Sequence, residues 1–408
     1  MTTSWTAGAA RVPFPVPVGT PMAGYAARTG PSTGTLDGLT IGALALENGG
    51  DRLLLVAADL AAVDRSLVDE IAVAARLNRS ELVVCASHTH SGPAGVITRM
   101  HPGDVDRLNP ILRAGFIQRC VQAIELARER ANPVELVFGQ VETRGLAANR
   151  NGLDGPFDPR VSVLAARDVS GQIGALLVQF ACHPTILSAA NRLISAEFPG
   201  AMRAAAEAAL SQHGEPPVVL FANGAAGDVS TRYTRASQDQ AEVERVGHGL
   251  ATAALEALAV AEPVGPGIGF AAETVTLAPR SLDELPRSNA SQRNPGGDSV
   301  AERRKAETRA QGAMLLDRLA KSGPDAIQRT FEIPAWRLGN LGLVAVPGEL
   351  FASLGKLIVR SVPGPVLVLG YANGYVGYLV DDAAHAAGTY EALASPFASG
   401  AGDVVANA

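Results

Sequence analysis

Three histidines, a glutamate and two tyrosines stand out in this sequence for where they fall. His88 and His90 lie in Ser87-His88-Thr89-His90-Ser91-Gly92-Pro93, directly after the apolar run Leu82–Ala86. His183 lies in Cys182-His183-Pro184, at the end of an apolar run over 173–181. Asp228 and Ser230 follow the run 218–222 through the turn Asn223-Gly224-Ala225-Ala226-Gly227. Glu349 closes Val346-Pro347-Gly348-Glu349, and Tyr375 and Tyr378 come shortly after Val366–Leu369. Each apolar run thus ends in a residue able to do chemistry, close to Gly or Pro. Active sites of α/β sheets gather at such strand ends, because each strand delivers a side chain from a rigid support.

The chemistry these residue types suit is metal ligation. In extended backbone, side chains two apart share a face, so His88 and His90 can point into one cavity. Two imidazoles with a carboxylate or phenolate suit a zinc-like divalent ion with a place left for water. A turn of hydrogen-bonded histidines would use the same His-x-His. Three of only seven histidines at strand ends favour the metal reading. His183 alone reads as structural. A half-buried Glu349 is costly unless paired or bound to a cation. Ser230 suits a nucleophile or, more commonly, a helix N-cap. There is no GxSxG, HExxH, GxGxxG or phosphate-loop Gly-Lys-Ser/Thr.

The elements that must position these residues alternate between strand and helix. Strands are predicted at 39–47, 53–58, Leu82–Ala86, 134–141, 161–167, 173–181, 218–222, 341–346 and Val366–Leu369. Helices are predicted at 64–77, 110–130, 198–212, 238–261 and 300–321. The polar stretch 279–297, rich in Pro, Ser, Asn and Gly, predicts a surface loop or subdomain joint extending to about residue 299. The expected fold is α/β, with layered mixed sheets flanked by helices and the active site at strand ends. One catalytic domain is expected over 1–408.

Composition sets outer limits. With 47% hydrophobic and 18% charged residues among 408, the chain has ample core material and is not a disordered one. A net charge of −6 without a basic block argues against nucleic acid as a partner. Cys85, Cys120 and Cys182 are far apart and read as buried reduced thiols. No apolar run approaches the roughly 20 residues of a membrane span. The N-terminus lacks a signal-peptide pattern, so the expectation is a cytoplasmic protein with no integral membrane segment.

Taken together, five segments resemble the neutral/alkaline non-lysosomal ceramidase family, from about Met22 to Ala394. They are SHTHSGPAG from Ser87, ACHPTIL around His183, GDVS from Gly227, VPGELF around Glu349, and the Tyr-rich tail. The resemblance implies a zinc-dependent amidase whose Zn2+ ligands fall on His88, His183, Glu349 and Tyr378. It implies catalytic positions at His90, Arg150, Ser230 and Tyr390. His90 and Tyr390 would serve the oxyanion and leaving amine, and Arg150 would anchor a polar group. The implied nucleophile is a zinc-bound water.

The chain has Thr231 and Arg232 where the family motif has Pro and Asn. The better-known members carry a C-terminal immunoglobulin-like domain, for which this sequence shows no counterpart. The expected partner is a small or lipid-like amide, as in sphingolipid metabolism. Two alternatives stay open: a same-fold zinc hydrolase of an ester or sugar-derived substrate, and an inactive binding homologue.

Overall fold

Apolar residues of the predicted strands build a central sheet, in which small residues let helices lie close. In the computed structural model, residues 5–100, 107–211, 216–281, 300–322 and 327–408 are described. Among them a nine-stranded mixed sheet runs in the order Val218–Asn223, Ile173–Phe180, Arg160–Arg167, Asn132–Glu142, Trp5–Pro13, Thr40–Asn48, Asp51–Ala58, Leu82–Ala86. The short strand Glu262–Pro263 pairs with Asn132–Glu142 off that path. The two end strands lie parallel to their neighbours and the inner pairings are antiparallel.

One face of this sheet packs on the helices Arg65–Ala75, Pro110–Glu129, Phe198–Leu210 and Gln240–Ala259. Close contact depends on glycine: a Cβ at Gly139 would lie 2.0 Å from the Ala257 carbonyl oxygen. The other face packs Trp5, Leu44, Leu53 and Leu55 against a second sheet through Trp336, Leu343 and Leu367. That sheet orders Ile268–Thr276, Thr330–Leu338, Leu341–Ala345, Val366–Leu369. The helices Ala352–Ser361 and Ala401–Asn407 cover it on the outside. The expected layers of mixed sheets between helices are therefore present.

Most predicted elements form within a residue or two of their expected ends. The expected loop or joint near 279–299 lies outside the described residues from 282 onward. The three cysteines are buried and free, as expected.

The C-terminal ends of Asp51–Ala58 and Leu82–Ala86 are fixed by a buried ion pair. Arg203 donates to both Asp59 oxygens, at 3.0 and 2.7 Å, and Asp59 also accepts from the Thr40 amide at 2.9 Å. The two residues after Asp59 present their carbonyls to the next strand end: Leu60 accepts from the His88 amide, and Ala61 meets the His88 ring. Removing one partner of a buried pair strands the other charge. Arg203→Leu is expected to destabilise the protein by about 3–5 kcal/mol, read as a lower denaturant midpoint at unchanged slope. A midpoint equal to wild type would show that Asp59 does not need its partner.

Candidate functional site

Five strand ends and the turns beyond them meet at one place. Asn223, at the end of Val218–Asn223, ties three of these segments. Its amide group donates to the Ser87 and Cys182 carbonyls, both at 3.0 Å, and accepts from the Cys182 amide at 3.2 Å. The Tyr-rich turn docks on the outer edge of Leu82–Ala86, where Asn373 accepts from the Val84 amide at 2.8 Å. Glu349 comes in on a two-residue strand paired in register with Tyr378. Gly227 lets the GDVS turn touch it: a Cβ there would sit 2.5 Å from the Glu349 carbonyl oxygen.

These supports aim three imidazoles and a carboxylate at one another. The His88 Nδ1 lies 2.5 Å from the Ala61 carbonyl oxygen, and the His183 Nδ1 lies 2.6 Å from that of Ala226. A carbonyl only accepts, so both Nδ1 atoms carry a proton, and in the neutral ring that leaves the lone pair on Nε2. His88 Nε2 is 3.3 Å from Glu349 Oε2, and His183 Nε2 is 3.0 Å from the same oxygen. His90 Nε2 lies 3.1 Å from His88 Nε2.

Burial and the nearby Arg150 charge push His183 down to about 3. Burial, with His88 and His183 adjacent, drives His90 well below its usual range. His183 Nε2 and Glu349 Oε2 are buried acceptors, and neither has a hydrogen-bond partner.

Two acceptors at 3.0 Å with no proton between them repel, and a cation between them removes the conflict. Tetrahedral zinc with bonds of about 2.0–2.1 Å sets its donors about 3.3–3.4 Å apart. The observed separations of 3.0–3.3 Å are close to that edge. Among the described residues, His88, His90 and His183 form a buried group able to hold a metal ion. The donor set fits a divalent ion.

The remaining predicted residues lie on the same wall. Arg150 donates to Glu391 at 2.6 Å and to the Tyr378 hydroxyl at 3.0 Å. Its guanidinium carbon stands 5.8 Å from the rings of both Tyr378 and Tyr390. Ser230 bridges to His183 through the backbone, and its Oγ accepts from the Arg232 amide at 3.2 Å. A cavity of about 340 Å³ opens over His90, Arg150, Ser230, Tyr378 and Tyr390. A second of about 760 Å³ shares Gly24, Tyr25, Ala26 and Tyr390 with it. All eight residues singled out in the sequence converge here.

One expectation needs correction. His88 and His90 do point the same way, with ring centroids 4.8 Å apart. The cause is not strand alternation: neither residue is in a strand, and His88 has φ +67°. That conformation is costly for a branched ring and is held by the bonds to Leu60 and Ala61.

Several residues of the site went unrecognised in the sequence. Tyr371 stacks on His88 at 4.0 Å, and Tyr25 meets His90 edge-on at 4.8 Å. Glu391 neutralises Arg150, and its position directly after Tyr390 was the available signal. Tyr375, noted as a strand-end residue without a role, donates to Glu349 Oε1 at 2.5 Å.

Fold and site together define a layered α/β protein whose strand ends converge on a buried set of nitrogen and oxygen donors at metal-centre spacing. The family model described as neutral/alkaline non-lysosomal ceramidase, N-terminal, matches residues 15–284, and the chain belongs to that family. The neutral ceramidase of Pseudomonas aeruginosa is 29% identical over 171 residues, covering 37% of this chain and 25% of that relative. The matched stretch therefore spans a quarter of the relative's length. The crystal structure of neutral ceramidase from Pseudomonas aeruginosa aligns with a TM-score of 0.81 at 20% identity, over 100% of this chain and 73% of that one. A ceramidase complexed with C2 gives 0.80 at 19%, over 99% and 74%.

Partners that orient a metal-ligating carboxylate typically account for 10–100-fold in metal affinity. Tyr375→Phe removes the hydrogen bond to Glu349 and is expected to weaken zinc binding by roughly 10–100-fold, measured by competition with a chromogenic chelator. Unchanged affinity in a folded variant would show that the Tyr375 hydrogen bond does not tune metal binding at Glu349.

Proposed function

We infer that this chain is a zinc-dependent hydrolase that cleaves the N-acyl amide bond of a lipid-like or smaller substrate. The observation that carries this reading is the pair of buried, partnerless acceptors, His183 Nε2 and Glu349 Oε2, beside the Nε2 of His88. Membership of the ceramidase family supports an amide as the bond cleaved. His88, His183 and Glu349 would hold the ion. Tyr378 stands beside Glu349 in register, with its hydroxyl oxygen turned to the Arg150 guanidinium. Burial and the Glu349 charge hold the Tyr378 phenol well above its usual range, against the Arg150 charge, so it keeps its proton unless a bound cation displaces it. Zinc, when bound, supplies Lewis-acid polarisation of a carbonyl and lowers the pKa of water toward about 7.

The chain's own residues provide the rest. Burial pushes Tyr390 up to about 12, so its phenol keeps the proton and can donate to a developing oxyanion. His90 is a neutral imidazole on the cavity wall, with a buried Nδ1 that has no partner. It suits transfer of a proton toward the leaving amine. Arg150, held rigid by Glu391, anchors a polar group of the substrate. Ser230, whose Oγ accepts from the Arg232 amide, is assigned a substrate-positioning role in this reading.

The test is a panel of matched N-acyl amides and esters, with released fatty acid quantified by mass spectrometry. Amide turnover is expected, lost on chelation and restored by zinc. Tyr390→Phe is expected to lower kcat by about 10²–10³-fold. Hydrolysis of esters with amides untouched, or turnover indifferent to chelation, would contradict the reading.

A further inference from the structure

The two cavities that meet at the site differ in what lines them. His90, Arg150 and Ser230 border the smaller one and are not among the residues that line the larger. The smaller cavity also carries the hydroxyl or amide side chains of Thr185, Ser188, Gln238 and Gln311, and charges of both signs from Arg232, Arg235 and Glu307. Among the described residues its only wholly aliphatic side chains are the methyls of Ala26, Ala189 and Ala190. In the larger cavity, Met22, Leu60, Val96, Ile97 and Leu315 are buried. Of its four arginines, Arg28 is half-buried and Arg99, Arg107 and Arg318 are exposed. Its apolar wall therefore lies inside and most of its charge toward solvent.

One helix spans the boundary. Val300–Ser322 lies close on Tyr390, which lines both cavities, because residue 312 is a glycine. A Cβ there would lie 3.0 Å from the Tyr390 carbonyl oxygen and 3.0 Å from the Leu393 Cβ. Gln311 faces the smaller cavity, and Leu315, one turn along the same helix face, faces the larger. The wall thus changes from polar to apolar where Tyr390 stands.

The proposed chemistry gives the two compartments a direction. His90, which serves the leaving amine, borders the smaller cavity, and Tyr390, which serves the oxyanion, stands between the two. The acyl carbon then sits at the junction, with the amine half toward the smaller cavity and the acyl tail toward the larger. A hydrocarbon chain laid against hydroxyls and amides strips them of water and returns no hydrogen bond. A hydroxylated amine replaces that water, and 340 Å³ has room for about ten water molecules' worth of it.

We propose that the substrate is an amphiphile divided at its amide: an aliphatic acyl chain in the larger cavity and a compact, hydroxylated amine in the smaller. This rests on the amide-hydrolase reading and narrows it. An amine with a long hydrocarbon chain of its own meets no apolar wall on the leaving side.

The experiment compares three amides on the zinc-loaded protein: N-octanoyl-2-amino-1,3-propanediol, N-octanoyl-2-aminodecane-1,3-diol and N-acetyl-2-aminodecane-1,3-diol. The first carries its chain on the acyl half, the second on both halves, the third on the amine alone. The first is expected to exceed each of the others in kcat/KM by about tenfold or more. Lengthening its acyl chain from butanoyl to octanoyl should raise kcat/KM by up to about fourfold per methylene. Gln311→Leu should narrow the gap between the first and second amides, and Leu315→Gln should flatten the dependence on acyl length.

Calorimetry on the zinc-free protein measures binding of the same three amides without turnover, and the same order is expected. Either long-chain amine matching or surpassing the first amide in turnover and binding would overturn the proposal and leave the hydrolase reading intact. If no amide is cleaved but binding keeps its order and Gln311→Leu alters it, the hydrolase reading falls and the two compartments stand. Neither cleavage nor binding of any of the three would remove both.

Discussion

Two hydrogen bonds from imidazoles to backbone carbonyls govern this structure. By donating from Nδ1 to Ala61 and Ala226, His88 and His183 give up any choice of tautomer and turn their Nε2 lone pairs inward. Everything nearby serves that orientation. Ala61 is held in place by the Asp59–Arg203 pair just before it, and Ala226 belongs to the turn that Gly227 lets close against Glu349. Asn223 fastens the two histidine-bearing segments to each other. The result is a set of closely spaced, buried nitrogen and oxygen donors whose arrangement a bound cation would satisfy.

That arrangement explains why the two sheets meet as they do. The central sheet contributes three of the five converging segments, after Leu82–Ala86, Ile173–Phe180 and Val218–Asn223. The second sheet contributes the Glu349 and Tyr378 segments beyond Leu341–Ala345 and Val366–Leu369. Neither sheet alone could surround the histidines. The packing of Trp336, Leu343 and Leu367 on Leu44 and Leu55 therefore sets the position of Glu349 against His88 as much as any polar contact does.

Much of this was legible in the sequence, for physical reasons. Runs such as Leu82–Ala86 and Val366–Leu369 are apolar throughout because they are buried on both faces, and such runs are easy to read. The strand Trp5–Pro13 was missed because its sequence, WTAGAARVP, is small-residue and without alternation; its glycine exists to admit a helix. Ile268–Thr276 and Thr330–Leu338 sit at one side of the second sheet with mixed exposure, which blurs their pattern. At the site, residues in recognisable motifs were found. Those joined only by the fold, such as Tyr25 on His90 or Tyr371 on His88, carry no spacing signal at all. The His-x-His pair was right in outcome and wrong in cause, because a positive φ at His88 cannot be read from periodicity.

The central claim is that the inward lone pairs of His88 and His183, with Glu349, constitute a divalent-metal centre. Crystals grown with zinc and measured on both sides of the zinc absorption edge test it most directly. The expected result is one strong anomalous peak within about 2.0–2.2 Å of His88 Nε2, His183 Nε2 and a Glu349 oxygen. A map with no peak there, or with zinc bound only elsewhere on the protein, would contradict it.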